Sequence, residues 1–218
     1  MYRETHRKLT LRNLLRLARF FALVPLLRLL RQGPRSTLIW MVVRLRLLLF
    51  GVPTLRYARI TPQLYVGGQF RRKGWQKLQS AGITAVVNMR SERDDLGKYL
   101  PLSYEHYLHV PTIDDTPVAL DDLQHGADWI AERIGAGEVV YVHCAVGSGR
   151  GPSMGAAYLI KHCGMTTDEA LATIRRTRPF VMPVSSQVER LREFEALIRD
   201  GQRAAPGFGE QQGGATHP

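Results

Sequence analysis

The eight residues His143-Cys144-Ala145-Val146-Gly147-Ser148-Gly149-Arg150 decide how this chain is read. They follow the apolar, β-branched run Val139-Val140-Tyr141-Val142 and precede a stretch of helical character from about Pro152 to His162. A cysteine therefore stands at the end of a buried strand, on a glycine-rich turn, at the start of a helix. Amides of such a turn point inward, and the helix dipole adds partial positive charge, so the turn is an anion cradle. The same field favours a thiolate over a thiol. Arg150 is positioned to offer two parallel N–H donors to a tetrahedral oxyanion. A lone cysteine is more often a small buried hydrophobe. Here a histidine, a cysteine, two glycines and an arginine at this spacing, between strand and helix, outweigh that reading.

Outward from the turn, the pattern predicts strands near 57–66, 84–89, 104–110 and 139–142, with room for a further short strand before the loop at Asp114. It predicts helices near 71–80, 120–134, 152–162, 167–177 and 186–200. Alternation of this kind gives an α/β domain with a central mixed sheet and helices on both faces. The functional site belongs at the carboxyl ends of the strands. Thr167-Asp168-Glu169 is expected to supply an N-cap and first-turn acids, and Asp121 and Asp122 to open the helix after residue 120.

The His-Cys-five-residues-Arg segment resembles the signature of the cysteine-dependent, dual-specificity phosphatase family. The likeness extends through Arg59–Gly68, Ile83–Met89 and Arg178–Pro183, and covers roughly residues 57 to 200. Within the family, Pro111-Thr112-Ile113-Asp114 through Leu123-Gln124, and Tyr141-Val142-His143-Cys144, are similar to the mitochondrial-type phosphatidylglycerophosphate phosphatases.

The resemblance implies a two-step reaction in which Cys144 attacks phosphorus and forms a phosphocysteine. Arg150 and the loop amides of Ala145, Val146, Gly147, Ser148 and Gly149 hold the equatorial oxygens. His143 is expected with the substrate-binding residues; in the family it orients the loop and tunes the thiolate, and it is not expected to act as a base. The leaving oxygen needs a proton, and the general acid of the family lies in the loop that matches Asp114. Asp115 is the adjacent alternative, and a solvated turn is the plain alternative for both. The family usually carries Ser or Thr directly after the arginine, where the hydroxyl assists departure of the thiolate. This chain has Gly151 and Pro152; some family members that act on glucans also carry a small residue and then proline here. Ser148 and Ser153 are the candidate replacement hydroxyls. No lysine stands in the loop, which favours a single phosphomonoester over a polyphosphorylated inositol. No metal-ligand spacing and no Gly-Lys-Ser/Thr motif occur, so neither a metal nor a nucleotide cofactor is expected.

The chain has 218 residues, 44% of them hydrophobic, enough for one domain with a core. Cys144 and Cys163 are its two cysteines. Thirteen residues of helix at 1.5 Å each place Cys163 about 20 Å away, too far for a bridge, and two thiols suit a reducing compartment. The net charge of +11 is confined to one quarter of the chain: residues 1–59 hold 13 basic residues and one acid, leaving 17 basic and 18 acidic residues for the remainder. A near-neutral catalytic region argues against nucleic acid as partner.

Residues 1–55 are expected to form a basic amphipathic segment that associates with an anionic membrane surface. Lys8, Arg12, Arg16 and Arg19 lie within about 80° of each other on a helical wheel, with leucines and Phe20, Phe21 over much of the rest. A Gly33-Pro34 break separates this run from Leu38–Phe50. Arginine interruptions make both runs poor transmembrane spans. A removable organelle transit peptide, a helix pair packed on the catalytic domain, and a span with snorkelling arginines are the alternatives. The catalytic domain is expected over 56–201 and a disordered tail over 202–218. The expected function is a phosphomonoester phosphatase at a membrane, acting on a phospholipid headgroup such as phosphatidylglycerophosphate and facing a reducing compartment. A membrane-tethered dual-specificity or tyrosine protein phosphatase is the first alternative. A weak phosphate-binding adaptor is the second.

Overall fold

The structure, a computed structural model, describes residues 23–97 and 100–204. The basic face at Lys8, Arg12, Arg16 and Arg19, and the tail beyond residue 204, lie outside the described residues.

Four short strands form one sheet: β1 (Leu64–Gly68), β2 (Ala85–Arg90), β3 (Tyr107–Thr112) and β4 (Val140–Cys144), in the order β1-β4-β2-β3. Every strand pairs parallel to its neighbours. The antiparallel pairing that would make the sheet mixed is reduced to the bridge Arg59–Tyr65. The first strand accordingly starts later than the sequence pattern suggests. Thr61 holds a turn there through Thr61 Oγ1, which accepts from the N–H groups of Gln63 and Leu64.

Alternation along the strands sorts the core into two layers. Leu64, Val66, Ala85, Val87, Val140 and Val142 face a cluster built with Ile130, Met154, Leu171 and Phe194. These come from α3 (Leu120–Gly135), α4 (Arg150–Cys163), α5 (Thr167–Thr177) and α6 (Ser185–Ala204). Tyr65, Val86, Tyr107 and Tyr141 face the other side, where α2 (Arg72–Ser80) contributes Trp75 and Leu78. Full burial of each of these aliphatic side chains contributes about 1.5–3 kcal/mol. The first-turn acids of α3 are Asp121 and Asp122, as expected. The cap of α5 is one residue earlier than expected. Thr166, not Thr167, accepts from Glu169 N–H, and Glu169 returns the bond in a capping box.

A further helix, α1 (Val24–Phe50), precedes the sheet and bends at Gly33, whose φ of 77° and ψ of 173° leave the helical region. Pro34 follows, so the break lies where the Gly-Pro pair placed it. One stripe of the second arm, Trp40, Val43 and Leu47, is buried on the domain together with Phe180. Tyr57 and Val146 pack against that cluster. Gly51, in the left-handed region at φ 62°, ends the helix by donating its N–H to Leu47 O. No helix of the described residues is long and apolar enough to cross a membrane.

Candidate active site

β4 delivers Cys144 to the carboxyl edge of the sheet, and α4 starts six residues later at Arg150. The backbone between them is held with its carbonyls outward. Ala145 O accepts from Gln69 N–H at 3.1 Å and Ser148 O from Met182 N–H at 2.9 Å. Val146 O accepts from Arg178 Nη2 at 2.7 Å, and Gly147 O accepts from Arg178 Nε at 2.5 Å. Gly149 O accepts from Ser153 N–H and Ser153 Oγ. With the carbonyls tied back, the amides are left to line the inner face, and Gly147 N–H donates to Cys144 Sγ at 3.2 Å. Gly147 carries a φ of +75°, and a Cβ there would meet Gly67 O at 2.3 Å, so only glycine allows this turn.

Arg178 is the bracket of the loop. It is buried, it also donates to Tyr57 O at 2.7 Å, and its guanidinium lies 4.4 Å over the Phe180 ring. Burial pushes its pKa down to about 10, so it remains a cation at neutral pH.

Arg150 is fully buried. Its Nη1 donates to Glu92 Oε2 at 2.9 Å and to Thr112 O at 2.8 Å, and its Nη2 donates to Glu92 Oε1 at 3.2 Å. Glu92 thus grips the guanidinium with both oxygens. Burial alone would raise the Glu92 carboxyl, but bonds from Arg150, its own backbone and Arg90 override it and bring it down to about 2. Asp114 Oδ1 lies 3.0 Å from Arg150 Nε, yet that Nε makes no hydrogen bond. The pair is a charge contact off the N–H axis, and Asp114 is mostly exposed. Asp114 and Asp115 both border the cleft above Cys144, together with Ala145, Val146, Ser148 and Gly149. Asp115 holds a φ of 58°.

His143, expected among the substrate-binding residues, instead faces away from that cleft, as its place one step from Cys144 in the strand alternation requires. Its ring packs between Phe70, at 5.1 Å, and Tyr141, at 5.9 Å. Neither ring nitrogen is hydrogen-bonded, and Nε2 lies 3.7 Å from Asp95 Oδ2. Burial lowers its pKa to about 3, so it is neutral at physiological pH. Of the two candidate hydroxyls, Ser153 Oγ is engaged with Gly149 O, whereas Ser148 Oγ is buried without a partner. A Cβ on Gly151 would lie 3.7 Å from Cys144 Sγ. Cys163 is exposed and, like Cys144, free. Among the described residues no cluster of His, Cys, Asp or Glu could hold a metal.

Three contributions escaped the sequence reading. Glu92 follows β2 at the same sheet edge as Cys144, and that position at a strand's carboxyl end was the signal available. Arg178 stands in a segment noticed for its likeness and not for its bonds. Arg28, Arg31, Trp40 and Arg44 of α1 also line the cleft, and nothing in their spacing points to it.

A thiol at the floor of an amide-lined turn, with a buried arginine opening the next helix, defines a cysteine phosphatase. The chain belongs to the dual specificity phosphatase family: that family's catalytic domain matches residues 64–197. Human "Phosphatidylglycerophosphatase and protein-tyrosine phosphatase 1" is 30% identical over 151 residues, 65% of this chain and 74% of the relative. The "Phosphatidylglycerophosphate phosphatase PTPMT2" of Arabidopsis thaliana is 29% identical over 149 residues, 64% of this chain and 62% of the relative. Human dual specificity protein phosphatase 16 is 31% identical, but the match spans 21% of its length. The fold is that of the crystal structure of PTPMT1, with a TM-score of 0.59 at 24% identity over 67% of this chain and 98% of that one. Human DUSP28 is similar at 0.60 and 23%, over 66% of this chain and 99% of that one. α1 lies outside the residues matched by the family.

Proposed function

We propose that this chain hydrolyses a phosphomonoester on a phospholipid headgroup at a membrane surface, phosphatidylglycerophosphate being the model substrate. The observation that carries this reading is the double role of α1. It borders the cleft over Cys144, and the stretch from Leu23 to Phe50 contributes twelve of the fifteen large hydrophobic side chains exposed among the described residues. An exposed apolar surface of that kind, with Leu38, Met41, Val42, Leu45 and Leu48 grouped along one groove, marks a membrane or partner contact. Arg35 and Arg46 stand on the same helix, suited to lipid phosphates. The names of the human and Arabidopsis relatives support the substrate class.

In this reading Cys144 Sγ attacks phosphorus while the P–O bond to the glycerol oxygen breaks. Asp114 gives its proton to that oxygen. Both aspartates border the cleft, and the spacing of Asp114 to Pro111 favours it over Asp115. The loop amides and Arg150, whose Nε makes no hydrogen bond, take the equatorial oxygens. Water, deprotonated by Asp114, then attacks the phosphocysteine, and the S–P bond breaks to return the thiolate and phosphate. Glu92 holds Arg150 in place throughout, as a positioning residue.

The test is phosphate release from phosphatidylglycerophosphate in anionic vesicles, set against a phosphotyrosine peptide, with Cys144→Ser as the inactive control. Preference for the lipid is expected. Preference for the peptide would make the chain a protein phosphatase held at a membrane, a reading that the protein-phosphatase relatives favour.

A further inference from the structure

The cleft over Cys144, about 280 Å3, has a wall that the family domain does not supply. α1 provides it with Arg28, Arg31, Arg44 and Trp40. Arg28 and Arg44 both stack on the Trp40 ring, at 4.7 and 5.1 Å from its centroid. Arg28 is only 5% exposed. Its Nη1 donates to Phe180 O at 2.9 Å and to Gln32 Oε1 at 3.0 Å, while its Nε is buried without a hydrogen-bond partner. Among the described residues no carboxylate lies within ion-pairing distance of Arg28 or Arg31. Burial and the neighbouring charges of Arg44 and Arg178 lower the Arg28 pKa to about 10, with only Asp115 acting in the other direction. A buried guanidinium held against like charges is costly, and an entering anion offsets that cost.

The wall also has a direction. Trp40 and Arg44 belong at once to the cleft and to a neighbouring apolar groove of about 280 Å3 lined by Leu38, Met41, Leu45 and Leu48. Leu47 sets the helix against the end of β1 beside the loop: a Cβ at Gly68 would come within 2.6 Å of Leu47 Cδ1, and Val146 of the loop packs on the cluster that contains Leu47. From the thiol outward the surfaces run phosphate cradle, guanidinium cluster, apolar groove. A phospholipid with two phosphates in its head has that order of chemistry: terminal phosphomonoester, internal phosphodiester, acyl chains.

We propose that Arg28, Arg31 and Arg44, arranged about Trp40, form a second anion subsite that holds the phosphodiester of a phospholipid whose terminal phosphomonoester lies on the Cys144 loop. The proposal rests on the lipid reading above and adds the specificity-determining residues. It selects lipids with a diester beside the scissile monoester over phosphatidic acid, which has the monoester alone.

The experiment uses the full chain and three soluble probes below their critical micelle concentrations, so that membrane attachment does not enter. They are dihexanoyl phosphatidylglycerophosphate, dihexanoyl phosphatidic acid, and deacylated glycerophosphoglycerophosphate. Loss of one charge-assisted contact to phosphate corresponds to about tenfold or more. The wild-type chain is expected to prefer the first probe over phosphatidic acid by at least about tenfold in kcat/KM, mostly through KM. Arg44→Gln should shrink that ratio toward one, whereas Arg192→Gln, at an exposed side chain of α6, should leave it. Arg31→Gln, at an exposed side chain, is the second variant and should act in the same direction. The deacylated probe should be a poorer substrate than its dihexanoyl counterpart. Full preference retained in both arginine variants overturns the subsite while leaving lipid hydrolysis intact. Equal turnover of the deacylated probe overturns the lipid as occupant and points to a free bisphosphate. Hydrolysis of a phosphotyrosine peptide but of none of the three probes sinks the lipid reading and the subsite together.

Discussion

Replacing Gly151 with serine should accelerate the second half of the reaction. Gly151 is the second residue of α4, and a Cβ there would lie 3.5 Å from Cys144 N and 3.7 Å from Cys144 Sγ. These are ordinary contact distances, so the side chain enters without moving the loop. A serine hydroxyl rotates freely and reaches hydrogen-bonding range of the sulfur from that Cβ. A hydrogen bond to a charged group contributes about 1.5–3 kcal/mol. The bond is made to the thiolate that departs when water attacks phosphocysteine, so its worth appears in that step. At about 1.4 kcal/mol per decade this is an acceleration of roughly 10- to 150-fold. The assay is stopped-flow release of p-nitrophenol from p-nitrophenyl phosphate. The wild-type chain should show a burst approaching one equivalent of enzyme, followed by slow turnover. Gly151→Ser should keep the burst rate within about twofold, raise steady turnover by the stated factor and erase most of the burst. A wild-type chain without a burst, together with a variant no faster, would refute the reasoning. The unpartnered Ser148 hydroxyl would then be the group already serving the sulfur.

Asp114→Asn should cost about 10²–10⁴ in kcat on an alkyl phosphate, and far less on p-nitrophenyl phosphate, whose leaving group needs little protonation; equal losses on both would remove Asp114 as the acid. Glu92→Gln breaks the two-oxygen grip on Arg150 and should lower kcat/KM about tenfold with the fold intact by circular dichroism. His143, held neutral by burial with a pKa near 3 against 6.5 for the free group, stabilises the folded chain fully above pH 6.5 and loses that contribution as pH falls toward 3. The slope approaches about 1.4 kcal/mol per pH unit, and Tm measured from pH 7.5 downward should fall more steeply for the wild type than for His143→Asn. Asp95 faces His143 at 3.7 Å and is itself pushed up by burial, acting in the opposite sense, so the difference between the two proteins isolates the histidine. Arg178→Met strips the hydrogen bonds from Tyr57 O, Val146 O and Gly147 O, and at about 1–3 kcal/mol for each unpaired carbonyl it should lower Tm by roughly 6–12 °C or more. A loss of catalysis without that loss of Tm would contradict its bracket role.

The catalytic loop was legible because its chemistry is local: strand, cysteine, two glycines and arginine lie within twelve residues, and each acts through neighbours in the chain. The helices and the two-layered core were legible for the same reason, since their signal is the spacing of apolar residues. What was not legible depends on contacts distant in sequence. Glu92 reaches Arg150 across 58 residues because β2 lies beside β4 in the sheet, an order that no periodicity encodes. His143 shares the loop's sequence but not its cleft, because it sits one step off the cysteine in a strand. α1 was the hardest. Its apolar content is legible, but a lipid-facing leucine and a core-facing leucine are the same residue. Only the stripe Trp40, Val43, Leu47 meets the domain, and the remainder stays exposed.

That stripe ties the N-terminal helix to the chemistry by a short chain of bonds. Arg28 donates to Phe180 O and Gln32 to Val181 O, while two residues before Phe180 the side chain of Arg178 holds Val146 O and Gly147 O. Val146 in turn packs on the cluster that contains Trp40 and Phe180. One face of α1 therefore bears on the segment that keeps the loop carbonyls turned outward, and the opposite face carries the exposed leucines. A helix used only as an address could be joined by a flexible linker and leave the loop untouched. Here packed side chains and buried hydrogen bonds join the helix to the segment that holds the loop. The geometry thus favours a helix that takes part in forming the site over one that merely delivers it, and the family domain alone, residues 64–197, lacks one wall of its own cleft.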